Sequence, residues 1–284
     1  MLKKLIKHDF KAVGRIWWII ATVVLIMSVI GAYMLTYVSE NAESDTFSLL
    51  DVVSLLFIIA CILGIVGSII ATVYLVFNRY YKNLFTDEGY LTFTLPVSRR
   101  DILLSKTINT FIWIILQGIL TVLCIGIFAL FGMSAAEGVF EFDFSLFSDL
   151  LSFFVNEAEL GLWLPVLIVE GILLAIVNVF FYICLIQISI TFGAVMVNRA
   201  KVLAGIGIYY AINTVVSWIT QLCMTVATLL FDMETGVVLA GAGIDQWCGV
   251  VALAILIYTV MMAAFTAVIF FVTQGILERK LNIA

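Results

Sequence analysis

Along the chain, polar side chains are confined to short intervals between long apolar runs, and the runs set the elements. A bilayer core about 30 Å thick is crossed by roughly 20 apolar residues of helix. Six runs are long enough, at about 16–38, 52–77, 107–132, 162–197, 202–231 and 247–274. They predict an all-α membrane protein with six transmembrane helices in a single domain covering 1–284. Ahead of the first run, Leu2, Leu5, Ile6, Phe10 and Val13 fall on one helical face and Lys3, Lys4, Lys7 and Lys11 on the other. This predicts an amphipathic interfacial helix over 1–15, lying on the inner leaflet by apolar burial and attraction to anionic lipid. In the longest polar interval, 134–161, Phe147, Leu150, Leu151 and Phe154 oppose Ser145, Ser148, Asp149 and Ser152. That interval reads as a second amphipathic helix on the outer leaflet, either a cover or a shaper of an exit site.

Composition agrees with a lipid solvent, since 64% hydrophobic and 12% charged residues leave too little polar surface for a water-soluble globule of 284 residues. Charge then sets orientation. All 14 Lys and Arg lie at the amino end (Lys3, Lys4, Lys7, Lys11, Arg15), in the 78–106 interval (Arg79, Lys82, Arg99, Arg100, Lys106), between the fourth and fifth runs (Arg199, Lys201) or at the carboxyl end (Arg279, Lys280). The other three intervals hold only acids, from Glu40 to Asp51, Glu137 to Glu159 and Asp232 to Asp245. Basic residues stay on the cytoplasmic side, so both termini are expected in the cytoplasm. The net charge of -5 conceals this separation and points to no nucleic-acid partner. The first run is too long for the roughly 7–15 residue core of a signal peptide and is read as a mature span.

Little in the chain can do chemistry. His8 is the only histidine, so there is no HExxH motif, no histidine-bearing metal cluster and no Ser-His-Asp triad. There is no GxxxxGK[ST] phosphate loop and no interval long enough for a soluble catalytic module, so no enzyme activity and no bound cofactor are expected. The five cysteines are scattered and mostly inside the runs, as buried small hydrophobes would be, though a Cys223–Cys248 pair near the outer face stays open.

The interval 78–106 is the one long basic segment between spans. Arg79, Lys82, Asp87 and Glu88 alternate with Tyr80, Tyr81, Leu84 and Phe85, which suits a short helix exposing aromatics and charges to a protein partner, ended by Gly89. Pro96 stops regular structure, and Ser98 to Asp101 is an S-x-x-D cap that opens a new helix running into the third span. Within the spans, Ala60, Gly64, Ser68 and Thr72 recur every four residues and form a packing seam, within the subunit or between subunits. Glu170 is the clear ionisable residue in a span, and Asn178 shares its face, with Gln187 further along. Glu170 and Asn178 either line a pathway for a cationic group or proton, or hydrogen-bond to a neighbouring helix.

The string from Glu88 to Lys106, EGYLTFTLPVSRRDILLSK, resembles the segment after the second span in permease subunits of type 2 ABC exporters (the ABC-2 family). That family's pattern is an acid and a Gly, a Leu-rich stretch ending L-P-[VI]-S-[RK], and a Lys at the head of the third span. Here it falls on Leu95, Pro96, Ser98, Arg99 and Lys106. The resemblance implies a cytoplasmic coupling helix between spans two and three, mapped onto Arg79 to Glu88, with Arg79, Lys82, Phe85, Asp87 and Glu88 meeting a separate cytoplasmic ABC ATPase subunit that binds the ATP. It further implies two permeases per assembly, the second a copy or a relative, in a bacterial plasma membrane. An amphipathic or lipophilic cargo, whether peptide, drug or lipid, would be moved outward. One departure is the short interval 232–246, where such permeases often carry re-entrant helices. Two other readings stand beside it: a stand-alone secondary transporter or channel using Glu170, which predicts inverted repeats that the sequence does not show, and an intramembrane enzyme, for which the spans hold no constellation.

Overall fold

A computed structural model describes residues 2–41, 49–86, 89, 98–137, 163–196, 200–235 and 244–280. They form six long helices, α1 (Leu2–Asn41), α2 (Leu49–Phe85), α3 (Arg99–Glu137), α4 (Trp163–Met196), α5 (Lys201–Thr235) and α6 (Ile244–Lys280). Each contains a stretch apolar and long enough to cross a membrane, the makeup of a multi-pass membrane protein. Each apolar run of the sequence coincides with one helix. The helices are longer than most of the runs because hydropathy stops at the first charge, whereas Lys, Arg and Glu sustain helical hydrogen bonding well. At 34 to 40 residues the helices are about 50–60 Å long, so they project beyond the hydrocarbon layer.

Two expected elements change. The interfacial helix over 1–15 is not separate, because α1 runs unbroken from Leu2 to Asn41. Part of the face assigned to lipid is packed on protein: Val13 is buried, and Phe10 stacks on Trp113 of α3 at 4.6 Å between ring centroids. The lysine face does stand exposed, at Lys3, Lys7, Lys11 and Arg15. The coupling helix is likewise not separate, since residues 79–85 are the last turns of α2. Gly89 follows, its N–H donating to the Thr86 carbonyl at 2.7 Å, and a Cβ there would lie 2.7 Å from the Leu84 carbonyl oxygen. No side chain fits at that turn. Asp87, Glu88, Leu95 and Pro96 lie outside the described residues, as does most of 134–161 and the interval between α5 and α6. Cys223 and Cys248, like the other three cysteines, are free.

The helices divide between two compact units. Unit 1 is Met1–Lys82 with Leu104–Phe144, and unit 2 is Asn83–Leu103 with Ser145–Ala284, so the division passes through the ends of α2 and α3. In unit 1 the core is a helical stripe of α1 (Val13, Trp17, Ala21, Val24) against Val76 of α2 and Trp113, Leu120 and Cys124 of α3. In unit 2, α4 packs on both α5 and α6, with Phe181, Cys184, Leu185 and Ile188 against Val216, Met262 and Ile269. The α4–α5 hairpin closes by near backbone contact. A Cβ on Gly193 would lie 2.5 Å from the Lys201 carbonyl oxygen and 3.0 Å from the Gly205 nitrogen, so small residues are what let these helices meet.

Candidate functional site

Two cations of unit 1, Arg79 and Lys106, converge on Asp9. This carboxylate is 3% exposed, and it accepts hydrogen bonds from the Lys106 ammonium on one oxygen and from Arg79 Nε, at 3.4 Å, on the other. Lys106, in the first turn of the unit 1 part of α3, is itself 7% exposed, whereas the Arg79 side chain near the end of α2 is 28% exposed. One carboxylate on α1 therefore holds cations from two other helices. A buried charge of this kind is tolerated only when paired, so the cluster fixes the ends of three helices to one another. Arg79 and Lys106 stand within three residues of Lys82 and Leu104, where the chain leaves unit 1 and returns to it.

About three turns further along α3, Gln117 is a second junction. Its Oε1 accepts from Trp17 Nε1 of α1 at 3.1 Å and from Thr72 Oγ1 of α2 at 2.8 Å, while its Nε2 donates to Ser68 Oγ at 2.9 Å. The seam of small residues on α2 is thus partly internal: Ser68 and Thr72 are buried against Gln117, Gly64 lies within contact of Met27 of α1, and Ala60 is exposed.

In unit 2 the L-P-V-S-R segment has two capping roles. The Ser98 hydroxyl accepts the Asp101 N–H at 3.1 Å, which caps α3 as the S-x-x-D spacing predicts. Arg99 is the first residue of α3, where the helix dipole disfavours a cation. Its Nη1 instead donates to the carbonyls of Leu277 and Glu278, both at 2.7 Å. These are among the last four carbonyls of α6, which have no partner within the helix, so one guanidinium fastens the start of α3 to the end of α6. Lys82 is exposed, and Phe85 is half-buried at the end of α2.

The polar residues of α4 do not come together as a pair. Glu170 and Asn178 lie two turns apart and both are half-buried; the Asn178 amide donates to the Leu174 carbonyl of its own helix at 3.1 Å. Glu170 Oε2 is buried with no partner among the described residues. The more extensive polar surface is on α5. Tyr210, Thr214, Ser217, Gln221 and Thr225 recur at intervals of three and four, so they share one face, and all five are exposed. Sequence reading missed this face, along with Asp9, Gln117 and Gly193. Asp9 had a visible signal: it is the only acid before Glu40, and it sits in register with Val13 and Trp17 on the buried stripe. Among the described residues no group of His, Cys, Asp and Glu could hold a metal ion. Comparison with models of protein families, with curated proteins and with solved structures gives no match in any of the three.

Proposed function

We propose that the chain is the permease subunit of a type 2 ABC exporter, with both termini and the interval 79–106 in the cytoplasm. It would move an amphipathic or lipophilic cargo outward when a separate ATPase subunit supplies the energy. The resemblance of Glu88 to Lys106 and the six spans point to the family. The observation that carries the transport reading is α5. It has the lowest mean hydropathy of the six spans, 1.6 against 2.3 to 2.9, and it is also the least buried. Hydroxyl and amide groups facing hydrocarbon leave hydrogen-bonding capacity unmet, so the stripe of Tyr210, Thr214, Ser217 and Gln221 calls for a wet path or another subunit against it, whereas the Thr225 hydroxyl donates to the Gln221 carbonyl of its own helix. Half of a pathway completed by a second permease has this property. A self-contained bundle would turn the stripe inward.

A tagged chain purified in mild detergent from its native cell tests the reading. The expected result is an ATP-hydrolysing partner in the eluate, lost when Phe85→Ala and Glu88→Arg are combined in a correctly inserted chain. A wild-type eluate without a nucleotide-binding partner would overturn it. The second reading, a stand-alone transporter or channel, rests on the unpartnered Glu170 Oε2. It predicts an ion or proton flux in liposomes holding this chain alone that Glu170→Gln abolishes.

A further inference from the structure

We infer that Asp9 is a positioning residue that ties both roots of the interval 79–106 to α1, so that the amino-terminal helix moves whenever those roots move. Arg79 and Lys106 are far apart along the chain and belong to different helices, yet both bond the same carboxylate. The rest of the contact is shaped to keep Asp9 in place. Phe10 stacks on Trp113 on one side, and Gly14, one turn on, brings the α1 backbone against the Trp113 ring, where a Cβ would sit 3.3 Å from the indole. Val13 and Trp17 continue the same buried stripe. The opposite face carries Lys3, Lys7, Lys11 and Arg15, all exposed, so α1 offers these two cations no other acid before Glu40. Without the carboxylate, Arg79 and the buried Lys106 ammonium each lose the charge that bonds them to α1, and the tie of α2 and α3 to α1 at this point is gone.

For the mechanism this means that a push on the loop is delivered to α1 as well as to α2 and α3. That use of the tie rests on the permease reading, but the tie itself does not. Spin labels placed through non-natural amino acids at the exposed positions Lys11 and Lys82, in the full chain in lipid nanodiscs, report the α1–α2 separation at this end of unit 1. Wild type should give a narrow distance distribution. Asp9→Asn, which keeps shape and removes charge, should broaden it about twofold or more. Asp9→Glu, which keeps a carboxylate at this position, should stay closer to the narrow form than Asp9→Asn. Arg79→Gln leaves the Asp9–Lys106 pair intact and should broaden the distribution too, which serves if Asp9→Asn does not insert. A wild-type width in Asp9→Asn or Arg79→Gln would overturn the inference, as would an Asp9→Glu chain as broad as Asp9→Asn. In the complex with its ATPase subunit, ATP with vanadate should shift the distance in wild type and not in Asp9→Asn; an equal shift in both would also overturn it. If no ATPase subunit binds, the permease reading falls while the label distances still decide the tie.

Discussion

In unit 1 the side chains of three helices reach one another, through the carboxylate of Asp9 near one end and the amide of Gln117 further along. In unit 2 the hydroxyls of Ser189, Thr191, Thr220, Thr259, Thr266 and Thr273 each donate to a carbonyl of their own helix. Among the described residues its helices meet through apolar side chains and through the bare backbone at Gly193 and Gly205. The two constructions suit different tasks. Directional bonds between helices specify one rotation of each helix about its axis, and they transmit a displacement of one helix to the others. Close packing fixes separation but carries no charge or hydrogen bond that a changed neighbour would leave unmet. Unit 1 should therefore be broken by removing polarity at constant volume, and unit 2 by adding volume at constant polarity.

The largest effect is expected at Gly193. In Gly193→Val the new Cβ falls 2.5 Å from the Lys201 carbonyl oxygen, which is backbone and cannot rotate away. Overpacking of a core costs about 1–3 kcal/mol where side chains can adjust, and this contact lies at or beyond the upper end. The measurement is thermal unfolding in detergent followed by size-exclusion chromatography. The expected outcome is a strongly lowered midpoint or loss of the monodisperse species. An unchanged midpoint would mean that α4 and α5 do not approach by their backbones.

Next comes Gln117→Leu, which keeps the volume and removes a junction of three helices. Interhelical hydrogen bonds in membranes average roughly 0.6 kcal/mol and reach about 1.7, so three of them put the loss near 2 kcal/mol. The same thermal assay reads it. A Leu at 117 as stable as wild type would show that the bonds to Trp17, Thr72 and Ser68 are idle, and that unit 1 is held by packing like unit 2.

The contrast also explains which features could be seen in the sequence. The six spans were legible because hydrocarbon demands about 20 apolar residues in a row, a condition each segment meets alone. The Ser98 cap was legible because its partner, Asp101, is three residues away. Gln117 was not, because nothing near it in sequence says that Trp17 and Thr72 will converge on it. Hydropathy cut α1 and α2 short at their charges and so turned their ends into separate helices, hiding that Asp9 and Arg79 stand on the same rods as the spans. The α5 stripe was open to the same period-of-3.6 reading as residues 2–13, but a run scored by its average hydropathy conceals a polar face.

Arg99 is a side chain of unit 2 that does bridge elements, and it should give the smallest of the three effects. The Leu277 and Glu278 carbonyls lie near the open end of α6, where water can replace a lost donor, so Arg99→Ala should cost about 1 kcal/mol. The effect should be local. Hydrogen exchange over residues 270–280 should speed up by about fivefold, the factor that corresponds to 1 kcal/mol, while the start of α3 keeps its protection through Ser98. Because a single nitrogen, Nη1, serves both carbonyls, a fork is not required, and Arg99→Lys should retain most of the protection that Arg99→Ala loses. If Lys protects no better than Ala, the reach of the guanidinium rather than its charge holds α6. If exchange in α6 ignores position 99 altogether, the bonds to the Leu277 and Glu278 carbonyls do not hold the end of α6, and packing does.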